Sequence, residues 1–217
     1  MAEYQVITPP ATEPLLLADA KSHLRVDTTA DDGLITELIK ACRFHLERQY
    51  DLAFITQTLQ LNLDFFPYWW IFRGSSSGSY NWWNDQAYYT QILLRGPVQS
   101  VSSVIYTDTA GSPQTLSNTK YSLDPYHTPA RLVPAASQLW PATQAVINAV
   151  QVQFVAGYGA ADTNVPSDIK AALKLLLGHF YENREQIVTD ARVAAIQMPI
   201  GVEQLMRPYT GTGQLVF

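Results

Sequence analysis

The strongest structural signal in the chain is a helical pattern of apolar residues between Asp31 and Asp51. These residues recur at three- and four-residue spacings: Leu34, Ile35, Leu38, Ile39, Cys42 and Leu46. That spacing places them on one face of an α-helix. Asp31 and Asp32 stand where a helix start favours carboxylates, and Arg48 stands near the end, where positive charge is favoured. The pattern predicts a long amphipathic helix whose apolar face is buried against other elements.

Three other segments predict helices that could bury this face. Residues 15–24 predict a short helix, and the polar link 25–30 joins it to the long helix as a helical hairpin. Residues 166–182 begin with Pro166, which suits a first helical turn, and carry a wide apolar face. Residues 199–208 predict a short terminal helix.

The middle of the chain changes to the two-residue period of β-strands. Clean alternation runs from Leu59 to Phe65 and predicts a half-buried strand. Further strands are predicted at 91–94, 98–108, 114–123, 131–134 and 146–155. The turn at 109–113 makes 114–123 the predicted partner of the strand before it, and 131–134 is predicted as a short edge strand. Strands joined by turns without intervening helices imply an antiparallel sheet or a small sandwich.

These segments together predict an α+β fold. A helical module is built from both ends of the chain, and an antiparallel β module is inserted between them. The helical module is predicted over residues 14–52 and 164–209, and the antiparallel β module over 53–157. Within the β module, 67–90 forms an aromatic-rich lobe. Residues 210–217 are predicted as an extended tail.

The lobe at 67–90 holds four of the five tryptophans, in two pairs that flank a Gly/Ser segment. Trp and Tyr dominate interaction hot spots, so the lobe is a candidate partner surface. Its candidate residues are Trp69, Trp70, Trp82, Trp83, Tyr88 and Tyr89. The alternative is that these rings pack on the β module and on each other. A platform for single-stranded nucleic acid is disfavoured because Arg73 alone supplies positive charge there.

Composition narrows the classes of function. Charged residues make up 15% of the chain, against about 25% in typical globular domains. A chain with few charges and many aromatic residues is expected to cover surface against partners. The net charge of −5 and the lack of a basic block argue against tight binding of a phosphate backbone. We expect neither a signal peptide at the N-terminus nor a membrane span.

Candidate catalytic and metal-binding residues are few. Cys42 is the only cysteine and lies on the apolar helix face, which predicts a buried free thiol. His23 and His45 are predicted to pack between helices. His179 and Glu182 have a metal-ligand spacing but no second pair, so no metal or cofactor is predicted. Gly157-Tyr158-Gly159 lacks a surrounding βαβ unit and predicts a strand-to-helix loop.

A series of short motifs runs along residues 14 to 209. They are PLLLADAK (14–21), HLRVD (23–27), Asp31-Asp32, ITQT (55–58), RGPV (95–98) with Val101, residues 152–159, Pro166 with IKAA (169–172), HFYENRE (179–185), PIGVE (199–203) and Pro208-Tyr209. Their order and spacing resemble those of tailed-phage head–tail connector proteins, also called head completion or adaptor proteins, with similar members in gene transfer agents. The lobe at 67–90 departs from the resemblance, because the family's connection there is usually shorter.

The resemblance implies a structural protein of the virion neck, assembled in the host cytoplasm. Such adaptors form a ring, usually twelve-fold, between the portal and a stopper or tail-completion protein, and DNA passes through the lumen without specific binding. Two other classes stay open. One is another virion component, such as a minor tail or capsid-associated protein. The other is an enzyme with an unrecognised site using His127 or His179.

The resemblance also suggests a role for the tail at 210–217. In the resembling adaptors the C-terminal segment reaches into the portal. Gly211 and Gly213 would give this tail its reach, and the candidate portal-binding residues are Tyr209, Leu215, Val216 and Phe217. The alternative is a disordered terminus.

Overall fold

The computed structural model describes residues 4–67, 91–183 and 199–209. Within them the chain forms the helices α1 (Leu17–Leu24), α2 (Asp32–Gln49), α3 (Ser167–Glu182) and α4 (Ile200–Met206). The strands are β1 (Tyr4–Thr8), β2 (Gln57–Leu63), β3 (Ile92–Leu94), β4 (Val98–Thr107), β5 (Pro113–Thr115), β6 (Tyr121–Asp124), β7 (Ala130–Pro134) and β8 (Val150–Ala156).

The chain divides into two compact units. The β unit comprises Met1–Pro9 and Gln57–Ala156, and the helical unit comprises Pro10–Thr56 and Gly157–Phe217. The predicted α+β class is confirmed. Helices come from both ends of the chain, and antiparallel strands lie between them in the sequence. The finer boundaries predicted from sequence stay a prediction.

Helix α2 buries the predicted face, but the face is narrower than the sequence pattern suggests. Ile35, Ile39, Cys42 and Leu46 are buried in the core of the helical unit, whereas Leu34 is exposed. The predicted hairpin between α1 and α2 forms. An ion pair of 2.6 Å between the Lys21 Nζ and an Asp32 carboxylate oxygen ties the two helices together.

Helix α3 lies at the centre of the helical unit and contacts α1, α2 and α4. Its buried residues follow the helical period: Ile169, Ala172, Leu173, Leu176 and Leu177. The predicted Gly157–Gly159 loop connects β8 to the turn that precedes α3. At Gly157 the backbone has φ +132°, and an added Cβ would lie 2.5 Å from the Ile55 carbonyl carbon. Glycine is therefore the residue that fits this close approach of two backbone segments.

The β unit contains a five-stranded antiparallel sheet in the order β1-β2-β8-β4-β5. Strand β8 pairs with β2 on one side and β4 on the other. Its buried residues alternate as predicted, at Val150, Val152, Phe154 and Ala156. On the β unit's core, the Phe66 ring stacks on Trp140 with centroids 4.8 Å apart, and Tyr106 meets it edge-on.

A second, three-stranded sheet corrects two sequence predictions. Its order is β3-β7-β6, so β7 lies in the middle and the prediction of 131–134 as an edge strand is wrong. The prediction of one return strand over 114–123 is also wrong. A 3₁₀ turn at Asn118–Lys120 divides that segment, and the Ser117 hydroxyl accepts the Thr119 N–H at its start. Such local side-chain bonds compete with strand pairing, and only β5 returns to β4.

Candidate assembly surfaces

The structure places one of the sequence-predicted interaction residues. Tyr209 closes the 3₁₀ turn Arg207–Tyr209, and its ring meets Tyr158 edge-on with centroids 6.5 Å apart. Burial, and then the nearby Asp168 carboxylate, raise the pKa of Tyr209. The residue that precedes the predicted tail is therefore packed onto the helical unit.

The other predicted interaction residues lie outside the described residues. They are Trp69, Trp70, Trp82, Trp83, Tyr88, Tyr89, Leu215, Val216 and Phe217. Their proposed contacts with partners stay predictions.

A broad groove of about 950 Å³ opens on the β unit. It is lined by β1, the end of β2 and the segment at β3, including Tyr4, Asp64, Phe65 and Leu93. Pro67 and Gln91, which flank residues 68–90 in the sequence, both line this groove.

A buried charged network in the helical unit was not predicted from the sequence. The Glu47 side chain is only 5% exposed, and its carboxylate accepts hydrogen bonds from the Phe54 backbone N–H at 2.8 Å and from Arg43 at 2.9 Å. Arg43 also donates to Glu13 at 2.7 Å. A buried charge is tolerated when it is paired and hydrogen-bonded. The network thus joins α2 to the segments before α1 and before β2.

The four histidines form no catalytic arrangement with each other. His45 packs edge-on against Phe180, and His23 lies beside Gly178 of α3. The His127 Nδ1 lies 2.9 Å from the Pro129 carbonyl oxygen, a local turn contact. His179 contacts Phe180 and Asn183 within its own helix end.

Cys42, the remaining candidate from the sequence, is a buried free thiol. Burial raises the pKa of the Cys42 thiol to about 12, so at neutral pH the reactive thiolate is scarce. Across the part of the chain that the structure describes, no three His, Cys, Asp or Glu side chains gather as metal ligands do. Among the described helices, none combines the length and apolarity that a bilayer crossing requires.

Part of the chain matches a known protein family. Residues 15–65 match the family described as phage gp6-like head-tail connector protein. That stretch contains α1, α2 and β2, and with them Arg43, Glu47 and Phe54 of the charged network. No curated protein matches the sequence.

Solved structures match over nearly the whole chain. A chain in the neck of an empty gene transfer agent particle, computed with C6 symmetry, is 22% identical with a TM-score of 0.70, and the match covers 99% of this chain and 98% of that one. A chain in the virion of the native gene transfer agent particle matches with the same identity, coverage and TM-score. A chain in the native particle's neck, computed with C12 symmetry, is 21% identical with a TM-score of 0.67, covering 100% and 98%.

The predicted resemblance to head–tail connector proteins is confirmed: this chain has the fold of chains from gene transfer agent particles, and its residues 15–65 match the phage gp6-like connector family.

Proposed function

We propose that the chain is a structural subunit of a virion neck, an adaptor that joins a DNA-filled head to a tail. The observation that carries the proposal is the match of nearly the entire fold to chains of gene transfer agent necks, together with the connector family match at 15–65. The proposed role requires no catalytic step.

In this role several copies form a ring between the portal and a stopper or tail-completion protein, with twelve copies as the expected number. The symmetry named for the neck of the similar particle, C12, supports a ring. The chain is acidic, with a net charge of −5. An acidic ring repels the phosphate backbone, which allows DNA to slide through the lumen without being held. Assembly takes place in the host cytoplasm and no membrane is involved.

The tail and the aromatic lobe are assigned to partner contacts within this proposal. Tyr209, packed on Tyr158, anchors the start of the tail, and Leu215, Val216 and Phe217 bind the portal. One such segment binds weakly because ordering it costs roughly 1 to 2 kcal/mol per residue. A ring of tails binds together through multivalency. The lobe tryptophans 69, 70, 82 and 83, with Tyr88 and Tyr89, contact a neighbouring neck protein.

Removal of the chain from a particle-producing host tests the proposed function. Without it, we expect DNA-filled heads and separate tails, and a plasmid copy of the chain restores joined particles. A plasmid copy truncated after Tyr209 tests the tail: it yields a folded subunit that heads no longer recruit. Joined particles in the absence of the chain contradict the adaptor role.

The same complementation separates the two alternative classes. A plasmid copy that carries His127→Ala or His179→Ala restores joined particles if the role is structural. It fails to restore them if the substituted histidine acts in catalysis. Particles that are joined but lack a normal tail tip or capsid surface point to another virion component.

A further inference from the structure

Helix α2 has a second apolar stripe beside the one that it buries. The buried stripe runs through Ile35, Ile39, Cys42 and Leu46. The second stripe has the same alternating spacing of four and three residues, at Leu34, Leu38, Ala41 and His45, with Phe44 beside it. Leu34, Ala41 and Phe44 are exposed, and the Phe44 side chain is 56% exposed. This spacing is typical of a helix surface that packs against another helix.

The stripe ends in a groove between α2 and the end of α3. The groove has a volume of about 490 Å³ and is lined by Ala41, Phe44, His45, Arg48, Gln49 and Phe180. Arg48 has no ion-pair partner among residues 4–67, 91–183 and 199–209. A groove with aromatic walls and an unpaired cation at its edge suits an apolar side chain that has a carboxylate nearby.

The helical unit itself exposes such a pair on another surface. Ile200, at the start of α4, is 72% exposed, and Glu203 lies three residues later on the same side of the helix. Leu175 of α3 is also exposed and lies beside Gly201, so it extends the apolar area. Burial, and then the nearby Glu203 carboxylate, raise the pKa of Tyr50, and Glu203 makes no ion pair with a described residue.

We propose that the α2 groove of one copy binds the Ile200 surface of the next copy. The Ile200 surface comprises Leu175, Ile200 and Glu203; Ile200 enters the groove beside Phe44, and Glu203 pairs with Arg48. This inference rests on the proposed ring and assigns its subunit contact. A second copy is the occupant because the two surfaces differ, match in apolarity and are opposite in charge. Two different patches on one subunit give head-to-tail contacts, which close into a ring when the rotation allows.

Cysteine cross-linking between two singly substituted chains tests the contact. One chain carries Phe44→Cys and the other Ile200→Cys, and both are incorporated into the same particles, which are then treated with a short bis-maleimide. A covalent dimer requires two copies, so contacts within one chain cannot produce it. The native Cys42 stays silent because it is buried and its pKa is raised to about 12. We expect a dimer in the mixture and little in either variant alone.

The doubly substituted chain and a matched control extend this experiment. A chain with both cysteines gives a ladder of covalent oligomers that ends at the closed ring. Leu139→Cys replaces Phe44→Cys in the control, because Leu139 is also an exposed apolar residue but lies on the β unit. The control mixture gives no dimer. A strong dimer from Phe44→Cys alone overturns the proposal, since it indicates a two-fold contact between like surfaces.

The outcomes distinguish this inference from the proposed function. If the chain forms a neck ring but the mixture gives no dimer, the neck role stands and the assigned contact is wrong. If the chain is absent from the neck, the same mixture is cross-linked in concentrated solution of the full-length chain. A dimer there supports the contact without the neck role, and no dimer overturns both.

A charge exchange gives an independent measurement of the same contact. We expect Arg48→Glu and Glu203→Arg each to weaken association at least about tenfold, and the doubly exchanged chain to regain most of that loss. Equal association of all four chains contradicts the proposed pair.

Discussion

Each unit of this protein has a buried apolar core, but the two interiors differ in what else they contain. The helical unit buries a charged network, in which Glu47 connects Arg43 to the Phe54 backbone. The β unit centres instead on stacked rings, with Phe66 on Trp140. Charged hydrogen bonds specify directions and partners, whereas ring packing specifies shape and volume. The contrast predicts that removal of the Glu47 carboxylate destabilises the helical unit, whereas removal of the Phe66 ring destabilises the β unit.

The largest effect is expected at a backbone contact in the helical unit. In Gly157→Ala the new Cβ meets the Ile55–Thr56 backbone at 2.5 Å, and its φ of +132° strains any other residue. We expect a loss of about 4 kcal/mol or more in the free energy of unfolding, measured by urea denaturation. Gly33→Ala in α2 is the control, because its Cβ has no neighbour within 4 Å. A Gly157→Ala chain as stable as the control shows that the approach is not tight.

The next largest effect tests the aromatic interior of the β unit. Phe66→Ala removes a fully buried ring and leaves a cavity beside Trp140, at a cost of about 3 to 5 kcal/mol. Phe65→Ala is the matched control, because the neighbouring Phe65 is 52% exposed and its loss costs about 1 kcal/mol or less. Hydrogen exchange by peptide shows which unit loses protection. Equal losses for the two variants contradict the assigned core.

A smaller loss is expected when the charged network of the helical unit is broken. Glu47→Ala removes the carboxylate that accepts a hydrogen bond from the Phe54 N–H. Arg43 then keeps Glu13 as its remaining partner in the network. The expected cost is about 3 kcal/mol, since one partner of a buried pair is removed. Glu37→Ala on the same helix removes an exposed pair with Lys40 and costs under about 1 kcal/mol. Protection should fall in the helical unit; a loss confined to the β unit counts against this network.

At neutral pH the smallest effect is that of the buried thiol, which gives a pH dependence only above pH 9. The pKa of Cys42 is raised from 9.0 to about 12, so between these values the unfolded chain releases the proton and the folded chain retains it. The free energy of unfolding therefore keeps this contribution below pH 9 and loses it as the pH rises towards 12. Tyr158, whose pKa is also raised to about 12, acts in the same direction. We expect the free energy of unfolding to fall less steeply above pH 9 in Cys42→Ala than in the wild type, and the difference in slope is the contribution of the thiol. Identical slopes for the two chains contradict the burial of Cys42.

Local periodicity explains which parts of this fold were predictable from the sequence. Helix α2 and strand β8 each bury residues at a regular spacing, so their type and buried faces could be predicted. The position of β7 could not, because strand order depends on pairing between distant segments. The break at Asn118–Lys120 depends on one hydroxyl, that of Ser117. The burial of Glu47 was not predicted, because a glutamate beside the apolar face of a helix is normally expected to be exposed. Its burial depends on the Phe54 backbone N–H, and the sequence does not show that this group lies next to Glu47.

The candidate surfaces also combine features that the sequence could show with features that only the structure could show. Leu34 and Leu38 were visible as part of one broad apolar face, but in the structure Leu34 is exposed and Leu38 packs against the edge of the buried core. The sequence alone could not show that Ile200 and Leu175 lie on one surface, because Gly201 brings two helices together there.

Electron cryomicroscopy of particles that carry a tagged copy of this chain tests the central claim most directly. The account predicts a ring of copies in the neck, between head and tail, with the helical units of adjacent copies in contact. Tagged density on the capsid surface or along the tail, with a neck that lacks the chain, would contradict it.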